Sequence, residues 1–99
     1  MQLQLSGGRN VRRGGLVDHL VSDVTIYWRP GCGFCAKLED TISAVRDNAT
    51  WHNIWQDEDA AAFVRSVNNG NEIVPTVVID GQAHTNPDPG LVLEALTGS

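Results

Sequence analysis

Both cysteines of the chain lie three positions apart in Trp28-Arg29-Pro30-Gly31-Cys32-Gly33-Phe34-Cys35, after a run of β-branched and aromatic residues and ahead of a helical pattern. No other stretch restricts the fold as much. A strand that turns and re-enters as a helix places the first sulfur at the helix N-terminus, where unpaired backbone N–H groups and the positive end of the helix dipole favour a thiolate. Cys32 is thus the expected reactive thiol. Cys35 lies one turn further in, within reach of a disulfide formed on Cys32, and is the expected resolving thiol. Two cysteines are too few for a disulfide framework, and in a reducing compartment such a pair is redox-active or metal-binding more often than structural. Zinc needs four ligands, and His19, His52 and His84 lack the paired short spacing that would complete a site, so no metal is expected.

The elements around the pair follow from periodicity. Val24-Thr25-Ile26-Tyr27-Trp28 has strand composition and stops at Pro30-Gly31. Phe34, Cys35, Leu38, Ile42 and Val45 recur at helical spacing, which predicts a first helix from Cys32 to about Asp47-Asn48. Thr50 to Trp55 alternates as a second strand. Asp57 is a good N-cap, followed by acidic Glu58 and Asp59 and by Ala61, Phe63, Val64 and Val67 on one face, and Asn68-Asn69-Gly70-Asn71 stops that helix. The apolar run Ile73 to Ile79 predicts a third strand, with Pro75 at its start, at an edge or at a cis bond. Asp80-Gly81 is a hairpin turn into a short strand at Gln82-Ala83-His84, with His84 expected to be exposed, and Leu91, Val92, Ala95 and Leu96 form the apolar face of a last helix. The order is βαβαββα.

Ninety-nine residues, 41% of them hydrophobic, suffice for one domain with one modest core. Residues 1–21, with Gly7-Gly8 and Gly14-Gly15 among arginines, are expected to be a flexible N-terminal extension, and residues 22–99 the folded domain. A short amphipathic helix over Leu16 to Val21 is the alternative. Arg9, Arg12 and Arg13 against Asp18 give the extension +2, so the total of −5 leaves −7 on residues 22–99. Only Arg29, Lys37, Arg46 and Arg65 remain there as cations, too scattered for a nucleic-acid face. No run approaches the ~20 apolar residues that span a bilayer, and no leader pattern opens the chain, so no membrane association and a cytoplasmic location are expected.

The aromatic-ended strand, the Cys-x-x-Cys at a helix start and Val74-Pro75-Thr76 before a hairpin resemble the thioredoxin-like superfamily, and within it the glutaredoxins, over about residues 23–97. More narrowly, Gly33-Phe34, the Asp57-led alanine-rich helix, Asn69-Gly70-Asn71, Val74-Pro75-Thr76-Val77 and Thr85-Asn86-Pro87 resemble the actinobacterial mycoredoxins. The resemblance implies an α/β thioredoxin-like fold, a four-stranded mixed sheet flanked by three helices, and a monomeric thiol–disulfide oxidoreductase with no tightly bound cofactor. Cys32 would attack a protein mixed disulfide and carry away the low-molecular-weight thiol, mycothiol in preference to glutathione. A second thiol, kept reduced by an NADPH-dependent disulfide reductase, would then free it. The resemblance further implies that Pro75 is cis and faces the active cysteine, that the backbone of Val74 pairs with the substrate's main chain, and that Arg29 stands near the thiolate and the substrate carboxylate. Phe34, Thr85, Asn86 and Asp88 complete the expected substrate-binding set. Gly33-Phe34 and Thr85-Asn86-Pro87-Asp88 replace the Pro-Tyr and the Gly-Gly-Cys-Asp-like segment of many glutaredoxins, where glutathione's γ-glutamyl end is recognised. Two other readings stay open: a dithiol donor fed by thioredoxin reductase, and a carrier of an iron–sulfur cluster.

Overall fold

The computed structural model describes residues 22–98, in which the elements run β1 (Val24–Trp28), α1 (Gly33–Thr41), β2 (Thr50–Asn53), α2 (Glu58–Val67), β3 (Thr76–Ile79), β4 (Gln82–Thr85) and α3 (Pro89–Thr97). The βαβαββα order is the expected one. The expected extension, residues 1–21, lies outside the described residues. One four-stranded sheet carries the strands in the order β2-β1-β3-β4, with β1 parallel to β2 and antiparallel to β3, and β3 antiparallel to β4.

β1 is central, and its pleat sends Val24 and Ile26 to one face and Thr25 and Tyr27 to the other. On the first face Val24, Ile26 and Val77 meet Leu38 and Ile42 from the α1 side and Val92 and Leu96 from α3, all of them buried. On the second face Tyr27 stacks on His52 of β2 (5.4 Å between centroids) and on Phe63 of α2 (4.9 Å). Ala60, Ala61 and Val64 of α2 are buried with Ile54, Cys35 and Val74 in a second cluster at the end of the sheet that carries the cysteines. The helices start as their sequences require. Asp57 caps α2 by accepting from Ala60 N (3.2 Å), and Asp88 caps α3 by accepting from Gly90 N (2.9 Å), with Pro89 in the first turn. Asp80 (φ +50°) and Gly81 (φ +85°) form the two-residue β3–β4 turn, and Asp80 Oδ1 also accepts from Asp23 N (2.9 Å), which ties the turn to the start of β1.

Three boundaries and one burial differ from the sequence expectation. Apolar spacing predicts a first helix reaching Asp47-Asn48, but α1 ends at Thr41 and a 3₁₀ segment covers Ser43–Asn48. The β-branched pair Thr41-Ile42 followed by Ser43 is a poor helix continuation, and the Thr41 hydroxyl donates back to Lys37 O (2.9 Å). The tighter path still buries Ile42, and it puts Arg46 O where Trp51 Nε1 donates to it at 2.7 Å. The second strand stops at Asn53 and not at Trp55, because Asn53 Oδ1 accepts from Trp55 N (2.9 Å) and turns the chain, burying Ile54 and exposing Trp55. The third strand begins at Thr76 and not at Ile73, since Pro75 has no N–H to offer the ladder. His84 is half-buried, for it pairs with Val77 on the face that α3 covers.

Asn68, which the sequence marks only as a helix stop, is 7% exposed and bonds three elements together. Its Nδ2 donates to Val64 O (2.8 Å) at the end of α2 and to Thr76 Oγ1 (3.1 Å) of β3, and its Oδ1 accepts from Thr85 Oγ1 (2.6 Å) of β4. Thr76 Oγ1 in turn donates to Ile73 O (2.7 Å). Truncating this amide removes three hydrogen bonds at a buried position and leaves the fully buried Thr76 hydroxyl only its bond to Ile73 O, so Asn68→Ala is expected to lower stability by about 1–3 kcal/mol in urea unfolding. An unchanged midpoint would contradict the role given to Asn68.

Candidate active site

Gly31, at φ +77°, turns the chain out of β1, and Cys32 follows in extended conformation as the N-cap of α1. The cap is the sulfur itself. Cys32 Sγ accepts a hydrogen bond from Cys35 N at 3.1 Å, and as a thiol it donates toward Val74 O at 3.6 Å. Cys32 is half-buried and Cys35 is only 5% exposed; neither is in a disulfide. The Cys35 thiol is pushed up to about 12, first by burial and then by its interaction with Cys32, against the opposing pull of the Arg29 backbone. The two sulfurs are therefore chemically unequal, with one protonated and shielded behind the other.

The remaining expected residues divide into those around Cys32 and those that support its surroundings. The Val74-Pro75 bond is cis, Pro75 is fully buried, and Val74 O faces Cys32. Arg29 Nη1 donates to Pro30 O (3.0 Å), and the guanidinium lies 5.5 Å from the centroid of the Trp55 ring. Phe34, two residues after Cys32, is 64% exposed, and Trp55 is 63% exposed. Thr85 directs its hydroxyl to Asn68, Asn86 adopts φ +47° with its N–H on Pro75 O (2.7 Å), and Asp88 caps α3. These last three hold the Pro75 segment and the last helix in place, which leaves the Asp88 carboxylate partly committed to Gly90 N.

A cavity of about 160 Å³ opens next to the sulfurs on the side of the edge strand β2, where Trp28, Cys32, Ala36, Glu39, Arg46 and Trp51 contribute to its wall. Val74, Pro75, Thr85, Asn86 and Asp88 are not part of that wall, so Cys32 borders two distinct surfaces. Sequence reading missed Glu39, Arg46 and Trp51. The signal was present only in part, because Trp28 and Trp51 share a pleat face of neighbouring strands but the placement of Arg46 depends on the helix break at Ile42. Among the described residues no group of three or more His, Cys, Asp or Glu side chains is gathered as a metal site, and no helix is long and apolar enough to cross a membrane.

The arrangement defines a thioredoxin-like fold, and the crystal structure of a mutant of the thioredoxin-like protein BC3987 superimposes on it with a TM-score of 0.61, covering 75% of this chain and 99% of that one at 19% identity. The glutaredoxin family model matches residues 24–84, and the chain belongs to the glutaredoxin family. A Mycobacterium tuberculosis protein bearing a glutaredoxin name is 41% identical over 69 residues, covering 69% of this chain and 82% of the relative. Mycoredoxin 1 of Corynebacterium glutamicum is 41% identical over 68 residues, covering 68% of this chain and 84% of the relative. Thiol–disulfide oxidoreduction is the general activity of the family, and the pairing of a capped sulfur with a shielded one suits it.

The raised Cys35 value carries a stability consequence with a definite sign. Between 9.0, the thiol's ordinary value, and about 12, the unfolded chain has released this proton while the folded protein retains it. Stability from Cys35 is thus fully present below pH 9 and falls as pH rises toward 12. Burial and Asp57 raise Tyr27 as well, from 10.0, which adds a loss of the same sign at higher pH. Urea unfolding of the reduced protein at stepped pH is expected to show this decline, with a shallower slope in Cys35→Ala. Equal slopes in the two proteins would remove the assignment to Cys35.

Proposed function

We propose that the protein reduces mixed disulfides between proteins and a low-molecular-weight thiol, with mycothiol as the preferred thiol, through nucleophilic Cys32. The observation that carries this reading is the hydrogen bond from Cys35 N to Cys32 Sγ, 3.1 Å, at the start of α1, beside a second thiol that burial keeps protonated. A thiolate at Cys32 keeps its acceptor role at the helix end and gains from the dipole. It attacks the low-molecular-weight sulfur of the mixed disulfide, and the protein sulfur leaves as a thiolate that takes a proton from water. Cys32 then carries the small thiol in disulfide linkage. A second small thiolate attacks that carried sulfur, the symmetric low-molecular-weight disulfide leaves, and Cys32 returns as a thiolate. An NADPH-dependent reductase regenerates the two small thiols outside this protein.

The backbone of Val74 has a part in this cycle. In the thiol form Cys32 donates toward Val74 O, and once the proton is lost that carbonyl is released for a substrate N–H. Cys35 is not needed in this cycle and serves to trap Cys32 as an internal disulfide when the small thiol is scarce. The preference for mycothiol rests on the likeness to Mycoredoxin 1 of Corynebacterium glutamicum and on the Thr85-Asn86-Pro87-Asp88 segment, where many glutaredoxins carry a different sequence. We assign the protein to the cytoplasm as a monomer with no tightly bound cofactor.

Cys32→Ser is expected to abolish turnover, whereas Cys35→Ser should keep reduction of a mycothiol-protein mixed disulfide and lose reduction of dithiol-dependent disulfides. The assay follows NADPH consumption with mycothiol and glutathione in parallel. Loss of demycothiolation in Cys35→Ser would favour the dithiol donor fed by thioredoxin reductase, and faster turnover with glutathione would reject mycothiol as the thiol. A brown protein with visible absorption after anaerobic purification would instead point to an iron–sulfur carrier.

A further inference from the structure

The cavity on the β2 side of Cys32 has a composition that the thiol chemistry alone does not require. Trp28 and Trp51 are diagonal neighbours on one pleat face of β1 and β2, and both are half-buried, so they present aromatic surface to the cavity without filling it. Arg46 lies over the Trp51 ring at 4.5 Å and sits 3.0 Å from Glu39 through its Nε. That contact is one of charge, since Arg46 Nε is buried and makes no well-directed hydrogen bond. Glu39 and Arg46 therefore retain unspent hydrogen-bonding capacity at the cavity wall. Arg29 also lines the cavity, with Nη1 on Pro30 O and its guanidinium 5.5 Å from the centroid of the Trp55 ring.

We infer that this cavity receives the sugar or cyclitol ring of the small thiol carried on Cys32, which deepens the mycothiol reading above and rests on it. Three features favour a polyol over a peptide-like headgroup. Arg46 is neutralised by Glu39, so the wall they form offers hydroxyl groups a donor and an acceptor together, while the Arg29 guanidinium at the mouth of the cavity bonds only to the neutral Pro30 O. The aromatic walls match the apolar C–H faces of a saturated ring, as in pockets that combine apolar walls with a few placed polar groups. The volume of about 160 Å³ is below the ~300–1,000 Å³ typical of drug-sized ligands, and so fits one ring of a headgroup with the rest in solvent. Mycothiol is an acylated glucosaminyl-inositol and supplies such rings. Glutathione is a tripeptide with two carboxylates and supplies none.

Ala36 allows a test that leaves both sulfurs and the ion pair in place. It is exposed, lies on α1 one turn after Cys32 and lines the cavity, so Ala36→Leu fills the space with a good helix former. The expected result is a KM for mycothiol raised about tenfold or more, with little change in the single-turnover rate at which reduced Cys32 attacks the small probe bis(2-hydroxyethyl) disulfide in the absence of mycothiol, and an unchanged urea midpoint. In the reduced wild-type protein, glucosaminyl-inositol without its sulfur should shift the Trp51 indole N–H signal in an NMR titration, and Ala36→Leu should abolish the shift. If both substrates slow equally in Ala36→Leu, the effect is crowding at the sulfur and the inference fails. It also fails if the headgroup moves only signals from Thr85 to Gly90. A wild-type protein that prefers mycothiol and keeps that preference in Ala36→Leu overturns the cavity assignment alone, whereas a wild-type protein with no preference for mycothiol overturns the reading beneath it.

Discussion

The contact between Cys35 N and Cys32 Sγ makes a thiol sulfur the N-terminal cap of a helix. Most of the fold serves to hold that contact. Val24 and Ile26 bury β1 and fix where it stops, Gly31 turns the chain at a positive φ, and Leu38 and Ile42 anchor α1 to the sheet. A helix that began one residue earlier or later would place a backbone group where the sulfur now sits, since the first-turn N–H groups each need an acceptor.

The same helix separates the two thiols. Three residues on a helix amount to slightly less than one turn, so Cys35 follows Cys32 on the same side but deeper, among Ile54, Ala60, Val64 and Val74. Burial then does what sequence neighbours do not, holding Cys35 as a thiol. On the opposite bank, the Val74-Pro75 segment owes its position to Asn68, whose amide joins α2 to β3 and β4 and whose partner Thr76 takes up Ile73 O. A site built from short contacts at Cys32 thus depends on a buried amide two elements away.

The order of elements, the cap at Asp57, the hairpin at Asp80-Gly81 and the ends of β1 were legible because each rests on local chemistry: β-branched composition, a short polar cap, a turn that takes positive φ. What was illegible depends on contacts across the fold. Continuous apolar spacing through Val45 reads as one helix, and nothing local shows that Trp51 Nε1 will capture Arg46 O after the break at Ile42. Asn68 reads as a helix stop because stops favour asparagine, and its burial follows only once Thr85 of β4 folds back over it. For the site, the cysteines stood out, whereas the wall made by Glu39, Arg46 and Trp51 needed the sheet register and that break together.

A helix cap whose acceptor strength changes with chemistry ties local stability to oxidation state. While Cys32 Sγ is a thiolate it accepts the Cys35 N–H as a charged group, and once it is linked to another sulfur it is a neutral and weaker acceptor. An N-cap oxygen contributes about 0.5–2 kcal/mol, and this range is the upper bound on how far a sulfur cap makes the first turn of α1 favour the reduced protein. For a two-electron couple this corresponds to roughly 10–40 mV toward a more oxidising disulfide. A single backbone hydrogen bond thus couples the first turn of α1 to the oxidation state of Cys32.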